Sequence, residues 1–255
     1  MRNLGLDEAI RAAGGVGALA RKIGISQPSL SNWERVPAER VLSVESITGI
    51  DRAILRPDLY GGQNAVDETD AARAREYALL SALLRRAPSR DLLRRLAALR
   101  GDASPLGIAH AALGEAAAIA TVEIIEREFF DLFIGVGRGE LVPYASFYLT
   151  GFLNERPLAR LRDDLLRFHI ERVETEVEPE DHAAVLCEIM AGLAGGGFAA
   201  PAGADRILFE KHLAPWIGRF FADLEHAKAS DFYRRVGVVG RTFVDIESEA
   251  FALVS

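Results

Sequence analysis

The residues best equipped for chemistry cluster in "EVEPEDHAAVLCEIM", Glu176 to Met190. Asp181 and His182 stand side by side, behind Glu178-Pro179 and in front of an apolar run. A carboxylate next to an imidazole can relay a proton, ligate a metal or recognise a cationic ligand. Relay is poorly served, because adjacent residues on a helix point about 100° apart. No serine sits on a GxSxG elbow and no HExxH spacing occurs. A metal site would have to recruit Glu178, Asp181, His182 and the distant His212, and charged helix starts are common without metals. These residues alone therefore offer no ready catalytic relay, and no metal and no cofactor is expected.

The elements that must carry these residues are helical. Apolar residues recur at helical spacing along almost the whole chain, and strand-like alternation is nearly absent, so the predicted fold class is all-α. Pro179 suits the first turn of a helix, and Glu180 and Asp181 suit the positive end of its dipole. Ala184, Val185, Ile189 and Leu193 supply its apolar face, predicting a helix over 179–194. Similar spacing predicts helices over about 68–86, 89–100, 105–133, 157–168, 205–213, 216–226 and 232–252. The longest irregular stretch among them is "GVGRGELVPYAS", Gly135 to Ser146. A glycine-rich loop of this length inside a helical domain is often functional.

"RPDLYGGQNAVDETD", Arg56 to Asp70, reads as a boundary between short helices upstream and long ones downstream. The expected organisation is a small domain over 1–60, a linker over 61–70 and a main domain over 71–255. The chain has 49% hydrophobic residues, enough for a sizeable core, and a net charge of −7. The first 62 residues are close to neutral, so the acidity lies in the main domain. That argues against general nucleic-acid binding there and favours a basic peptide partner. The single cysteine, Cys187, fits a reducing compartment. The opening "MRNLGLDEAIRAAGG" has two acids and no long apolar core, unlike a signal peptide. The richest apolar run is interrupted by His110, Glu115 and Glu123. A soluble cytoplasmic protein without membrane insertion is expected.

In the small domain, "GVGALARKIGISQPSLSNWER" reads as helix, turn, helix. Val16 to Ile23 forms the first helix, Gly24 permits a left-handed turn, and Ser26 caps a second helix with Pro28 in its first turn. Leu19, Ile23, Ile25, Leu30 and Trp33 form a small core, leaving Gln27, Pro28, Ser31 and Asn32 outward. This resembles the Cro/phage-repressor helix-turn-helix in its YdaS-like branch. The resemblance implies that Gln27, Pro28, Ser31 and Asn32 face base edges and that Arg21, Lys22 and Arg35 meet phosphates. DNA is thus an expected partner, set against a packing or dimerising block that touches none. A homodimer would present two recognition helices.

In the main domain, "FFDLFIGVGRGELVPYASFYLTG", "EPEDHAAVLCEIM", "KHLAPWIGRFFADL" and "DFYRRVGVVGRTFVDIE" follow in order. Together they closely resemble the TorD/DmsD redox-enzyme maturation chaperones, over about residues 77–251. The resemblance implies an all-helical domain without enzyme activity. It implies binding of the twin-arginine signal peptide, or the apo form, of a molybdenum-cofactor enzyme before export. Formate dehydrogenase is the suggested client. Carried across by motif, the peptide-binding residues fall on Pro143, Tyr144, Ser146, Tyr148, Pro179, Asp181 and His182, and on His212, Pro215 and Trp216 of "HxxPW". Tyr144 stands where some relatives have tryptophan, and the helix-turn-helix is an addition to the basic family pattern. The alternative is a transcription regulator whose chaperone-like domain senses unassembled client.

Overall fold

The computed structural model describes residues 4–50, 52–56, 59, 68–171, 178–228 and 230–253. Among them no strand forms; the one β feature is an isolated antiparallel bridge between Tyr144 and His182. The chain divides into two compact units, Met1–Asp67 and Glu68–Ser255. Residues 61–67 of the expected linker lie outside the described residues, and a helix begins at Glu68.

The smaller unit holds α1 (Leu4–Ala13), α2 (Val16–Lys22), α3 (Gln27–Ser31), a 3-10 turn (Ala38–Arg40), α4 (Val41–Thr48) and α5 (Arg52–Leu55). Gly24 takes the turn at φ +73°, where a side chain would be strained. Ser26 caps α3, its side chain accepting from the Ser29 N–H at 3.3 Å. Leu6, Leu19, Leu30, Val36, Val41 and Val44 close a small core, with Ile25 and Trp33 packed on its edge.

The larger unit comprises α6 (Glu68–Arg85), α7 (Arg90–Ala97), α8 (Pro105–Ile119), α9 (Val122–Phe129), α10 (Ala145–Thr150), α11 (Arg156–Arg167), α12 (Ala183–Ala194), α13 (Ala204–Leu208), α14 (Ile217–Glu225) and α15 (Phe232–Leu253). Helix α6 packs along α12, and α15 packs on α14 and α8. Their shared core contains Leu80, Leu113, Leu186, Phe221, Tyr233 and Val236. Where α15 crosses α14, a Cβ on Gly237 would lie 2.4 Å from the Glu225 backbone nitrogen. Only a glycine lets the two backbones come so close. Buried Glu247 on α15 pairs with Arg73 of α6 at 2.8 Å and accepts from the Tyr77 hydroxyl at 2.9 Å. Cys187 is a core residue; burial pushes its thiol up to about 12, so it has little thiolate character.

Two expectations are corrected. The helix predicted over 105–133 is two helices, bent by 117° at a break after Ile119. Thr121 starts the second by accepting from the Ile124 N–H. The second helix ends in a π-helical turn, Phe130–Ile134, just before the glycine-rich loop. The helix predicted over 179–194 starts only at Ala183, so Pro179 is not in its first turn. No single helix among the described residues is long and apolar enough to cross a membrane.

Candidate functional site

His182 explains the later helix start. It is the N-cap of α12, and its Nδ1 accepts from the Ala184 N–H at 3.0 Å. This requires Nδ1 without a proton, so a neutral imidazole carries its hydrogen on Nε2. A histidine thus does the work usually given to serine or aspartate.

Asp181 works in the opposite direction, on another helix. Its Oδ2 accepts from the Ser146 N–H at 2.9 Å, one of the free amides at the start of α10. Its main-chain oxygen accepts from Ala145 N–H at 3.0 Å, while Ala183 N–H donates to the Pro143 oxygen at 2.8 Å. Those bonds strap the end of the glycine-rich loop to the segment before α12. Tyr144 tightens the strap. Its ring meets the His182 ring edge-on with centroids 4.9 Å apart, and its hydroxyl donates to Glu178. Burial, then the bond to Glu178, pushes the Tyr144 hydroxyl well up, so it stays a donor.

The second group of expected residues forms around Asp164 and His212. His212 Nε2 lies 2.9 Å from Asp164 Oδ2, both side chains being buried. The indole of Trp216 donates to the His212 main-chain oxygen at 2.7 Å. Trp216 is wholly buried and offers no surface to a peptide; Pro215 is exposed beside it. Tyr148 lies against Trp216 and Phe220, and its hydroxyl donates to Asp223 at 2.8 Å.

The two groups meet in one cavity of about 410 Å³. Of the expected residues only Asp181 and His212 line it; Asp164, Leu161, Leu149, Arg160, Arg167 and Lys211 are among the other lining residues. Its buried polar residues are Asp164, Asp181 and His212. Asp181 is 1% exposed, and among the described residues its Oδ1 has no hydrogen-bond partner. Burial pushes the Asp164 carboxyl up, but His212, Lys211 and Arg167 together outweigh that and hold it below the ordinary carboxylate value. Glu178 and Glu180, the other expected acids, are engaged, by Tyr144 and by Arg162 at 2.8 Å. Next to lining residue Leu149, the chain exposes Phe152 and Leu153.

Sequence reading missed Asp164 and its cationic neighbours. The available signal was "RLRDDLLR", Arg160 to Arg167, where Arg160, Asp163, Asp164 and Arg167 recur at three- and four-residue spacing and share one helix face. Among the described residues no three of His, Cys, Asp or Glu are grouped to hold a metal ion.

In the smaller unit, Gln27, Pro28, Ser31 and Asn32 are exposed on and after α3. The exposed side chains of Arg21 and Lys22 donate to the main-chain oxygens of Gly17 and Ala13. Arg35 is also exposed.

Comparison with known proteins matches both units separately. Residues 100–222 match the family model described as nitrate reductase delta subunit, and residues 6–64 the one described as bacterial toxin YdaS. Chaperone protein TorD of Aliivibrio fischeri is 26% identical over 138 residues, 50% of this chain and 64% of that protein. Chaperone protein TorD of Vibrio cholerae serotype O1 is 29% identical over 130 residues, 47% of this chain and 59% of that protein. The chain thus spans about three-fifths of the length of these curated relatives. The resemblance drawn from the motifs is borne out for both units.

Proposed function

We propose, from a larger unit similar to the TorD chaperones, that this protein is a cytoplasmic maturation chaperone. It captures the twin-arginine signal peptide or the apo form of a molybdenum-cofactor oxidoreductase, with formate dehydrogenase as the suggested client. The observation that carries this reading is the make-up of the cavity. A buried carboxylate with one oxygen unpartnered among the described residues lines it, as does exposed Leu149, and the chain exposes Phe152 and Leu153 three and four residues further on. A twin-arginine signal presents the matching order, guanidinium groups and then an apolar run. Carboxylates recognise guanidinium by charge-assisted hydrogen bonds. The proposed role is binding rather than catalysis, in keeping with relatives that are named as chaperones.

The test is affinity capture from a producing cell with mass identification of the client. Titration of a labelled peptide from that client's leader then follows. Binding should fall when the arginine pair is changed to glutamine, and again when the apolar run is made polar. A leader that binds equally well after both changes would remove the reading.

A second reading is favoured by the YdaS match over residues 6–64 and by the Gly24 turn and Ser26 cap that present α3. In it the smaller unit binds DNA and couples client supply to transcription. The two readings can hold together, since they use different units.

A further inference from the structure

The cavity carries its own cations at the place where the proposed reading puts the ligand's. Asp164 sits among them. His212 holds its Oδ2 from a buried position. Arg167 holds Oδ1 at 2.9 Å and Lys211 approaches Oδ2 at 3.5 Å, and their side chains are 72% and 57% exposed. Ion pairs made by side chains this exposed are weak, because water competes and ordering a long side chain costs entropy. The His212 contact is protected; the other two can be given up. A second buried carboxylate lines the same cavity, and it is incompletely served. Asp181 Oδ2 has the Ser146 N–H, while Oδ1 has no partner among the described residues. A buried acceptor left unsatisfied is costly, so a ligand N–H that reaches it is rewarded.

We propose that this cavity is a self-filled cation site: Arg167 and Lys211 are placeholders on Asp164, and an arriving guanidinium displaces them while satisfying Asp181 Oδ1. The inference rests on the reading of the cavity as a receptor for a basic peptide, and it adds how that receptor is kept closed to weaker ligands. A guanidinium has five N–H donors in a fixed fork, enough to serve an acceptor on each carboxylate. Arg167 and Lys211 are engaged with Asp164. The exchange also sets a salt signature. A site that swaps one cation for another forms few new ion pairs, so its affinity changes little with ionic strength. A site emptied of its own cations forms new pairs on binding and becomes salt-sensitive.

The experiment is calorimetric titration of the full-length protein with acetyl-Arg-Arg-amide, using acetyl-Gln-Gln-amide as control, at low and high salt. The double variant Arg167→Gln, Lys211→Gln should bind the arginine probe about five- to thirtyfold more tightly than the unaltered protein, and with steeper salt dependence. Asp181→Asn should weaken binding about tenfold or more in both backgrounds. Asparagine can still accept from the Ser146 N–H, so a near-native circular-dichroism spectrum is expected and a loss of binding is not a loss of fold. A double variant that binds no more tightly overturns the proposal. So does an Asp181→Asn variant with unchanged affinity, or an arginine probe bound no better than the glutamine control by every variant. A client leader that binds while the dipeptide series stays flat would sink this inference and leave the chaperone reading standing. The expected dipeptide series with a client leader that is ignored would do the reverse.

Discussion

Asp181 reaches back thirty-five positions to Ser146: one carboxylate oxygen caps the start of α10 at 2.9 Å, and the other, in a residue that lines the cavity, has no partner among the described residues. One side chain therefore has a structural job and an unfilled one. Substitutions can separate them. Asp181→Ala removes both, and the lost cap should cost about 0.5–2 kcal/mol of stability. Asp181→Asn keeps the acceptor and should cost much less, while still weakening a basic peptide. Urea unfolding of the three proteins checks this. Equal midpoints for alanine and asparagine variants would show that the Ser146 bond contributes nothing.

The neighbouring His182 should behave as a cap first. His182→Ala should lower stability by about 0.5–2 kcal/mol, because the Ala184 N–H loses its acceptor at a buried helix start. His182→Asn, which can cap in the same way, should recover most of that loss. Thermal unfolding followed by circular dichroism gives the comparison. If asparagine recovers none of it, the edge-on contact of Tyr144 with the imidazole is the larger contribution.

His110 gives the larger unit a pH dependence on the alkaline side. Its Nε2 lies 3.0 Å from Glu76 Oε1, and that hydrogen bond is the largest cause raising its affinity for a proton, against partial desolvation. The folded state thus favours protonated His110. Its contribution is complete below about pH 6.5, the ordinary histidine value, and is lost as pH rises through the raised folded value. Glu76→Gln should flatten this fall. Denaturant midpoints across pH 5.5–8.5 measure it, and parallel curves for the two proteins would show that the pair is not the source.

How much of this was legible beforehand differs between fold and site. Helical periodicity and the Ser26, Ser89 and Ser104 caps mark element starts in local sequence, and each of these caps forms. The break after Ile119 was missed because apolar residues continue through it, and only the Thr121 cap announces a new helix. Pro179 misled for a related reason: proline is at home in a first turn, yet a histidine three residues later took the cap. Asp181 and His212 carry a local motif, so the sequence could name them, and both line the cavity. Asp164 carries no such motif: Arg167 is its neighbour on α11, but Lys211 and His212 reach it only through the packing of α11 against the later segment.

Packing makes one glycine on α15 sensitive. Gly237→Ala places a Cβ 2.4 Å from the Glu225 backbone nitrogen, and backbone cannot yield as a side-chain tip would. The helices must separate, at a cost of about 1–3 kcal/mol typical of overpacking. Chemical denaturation of the variant measures the loss. A stability within error of the unaltered protein would mean that α14 and α15 slide apart freely.

The smaller unit offers the sharpest test of the regulatory reading. Its α3 is held by the Gly24 turn and the Ser26 cap, and Gln27 and Asn32 are exposed there. Gln27 Oε1 lies over Gly17 of α2, 3.2 Å from where a Cβ on that glycine would stand. The unit is nearly neutral, however, and Arg21 and Lys22 donate to main-chain oxygens of Gly17 and Ala13 within it. Phosphate neutralisation supplies most of the affinity for DNA, so one copy should bind weakly. Two copies on a near-palindromic site would place two α3 helices about one DNA turn apart and recover part of that deficit. Specific binding should therefore need a dimer and weaken steeply as salt rises. Gln27→Ala should lose sequence preference, whereas Arg21→Ala should weaken binding to all sequences alike. Fluorescence anisotropy against the gene's own upstream DNA, with random DNA beside it, measures both effects. Coincident curves that Gln27→Ala leaves unmoved would end the regulatory reading, and the block would then serve packing or dimerisation.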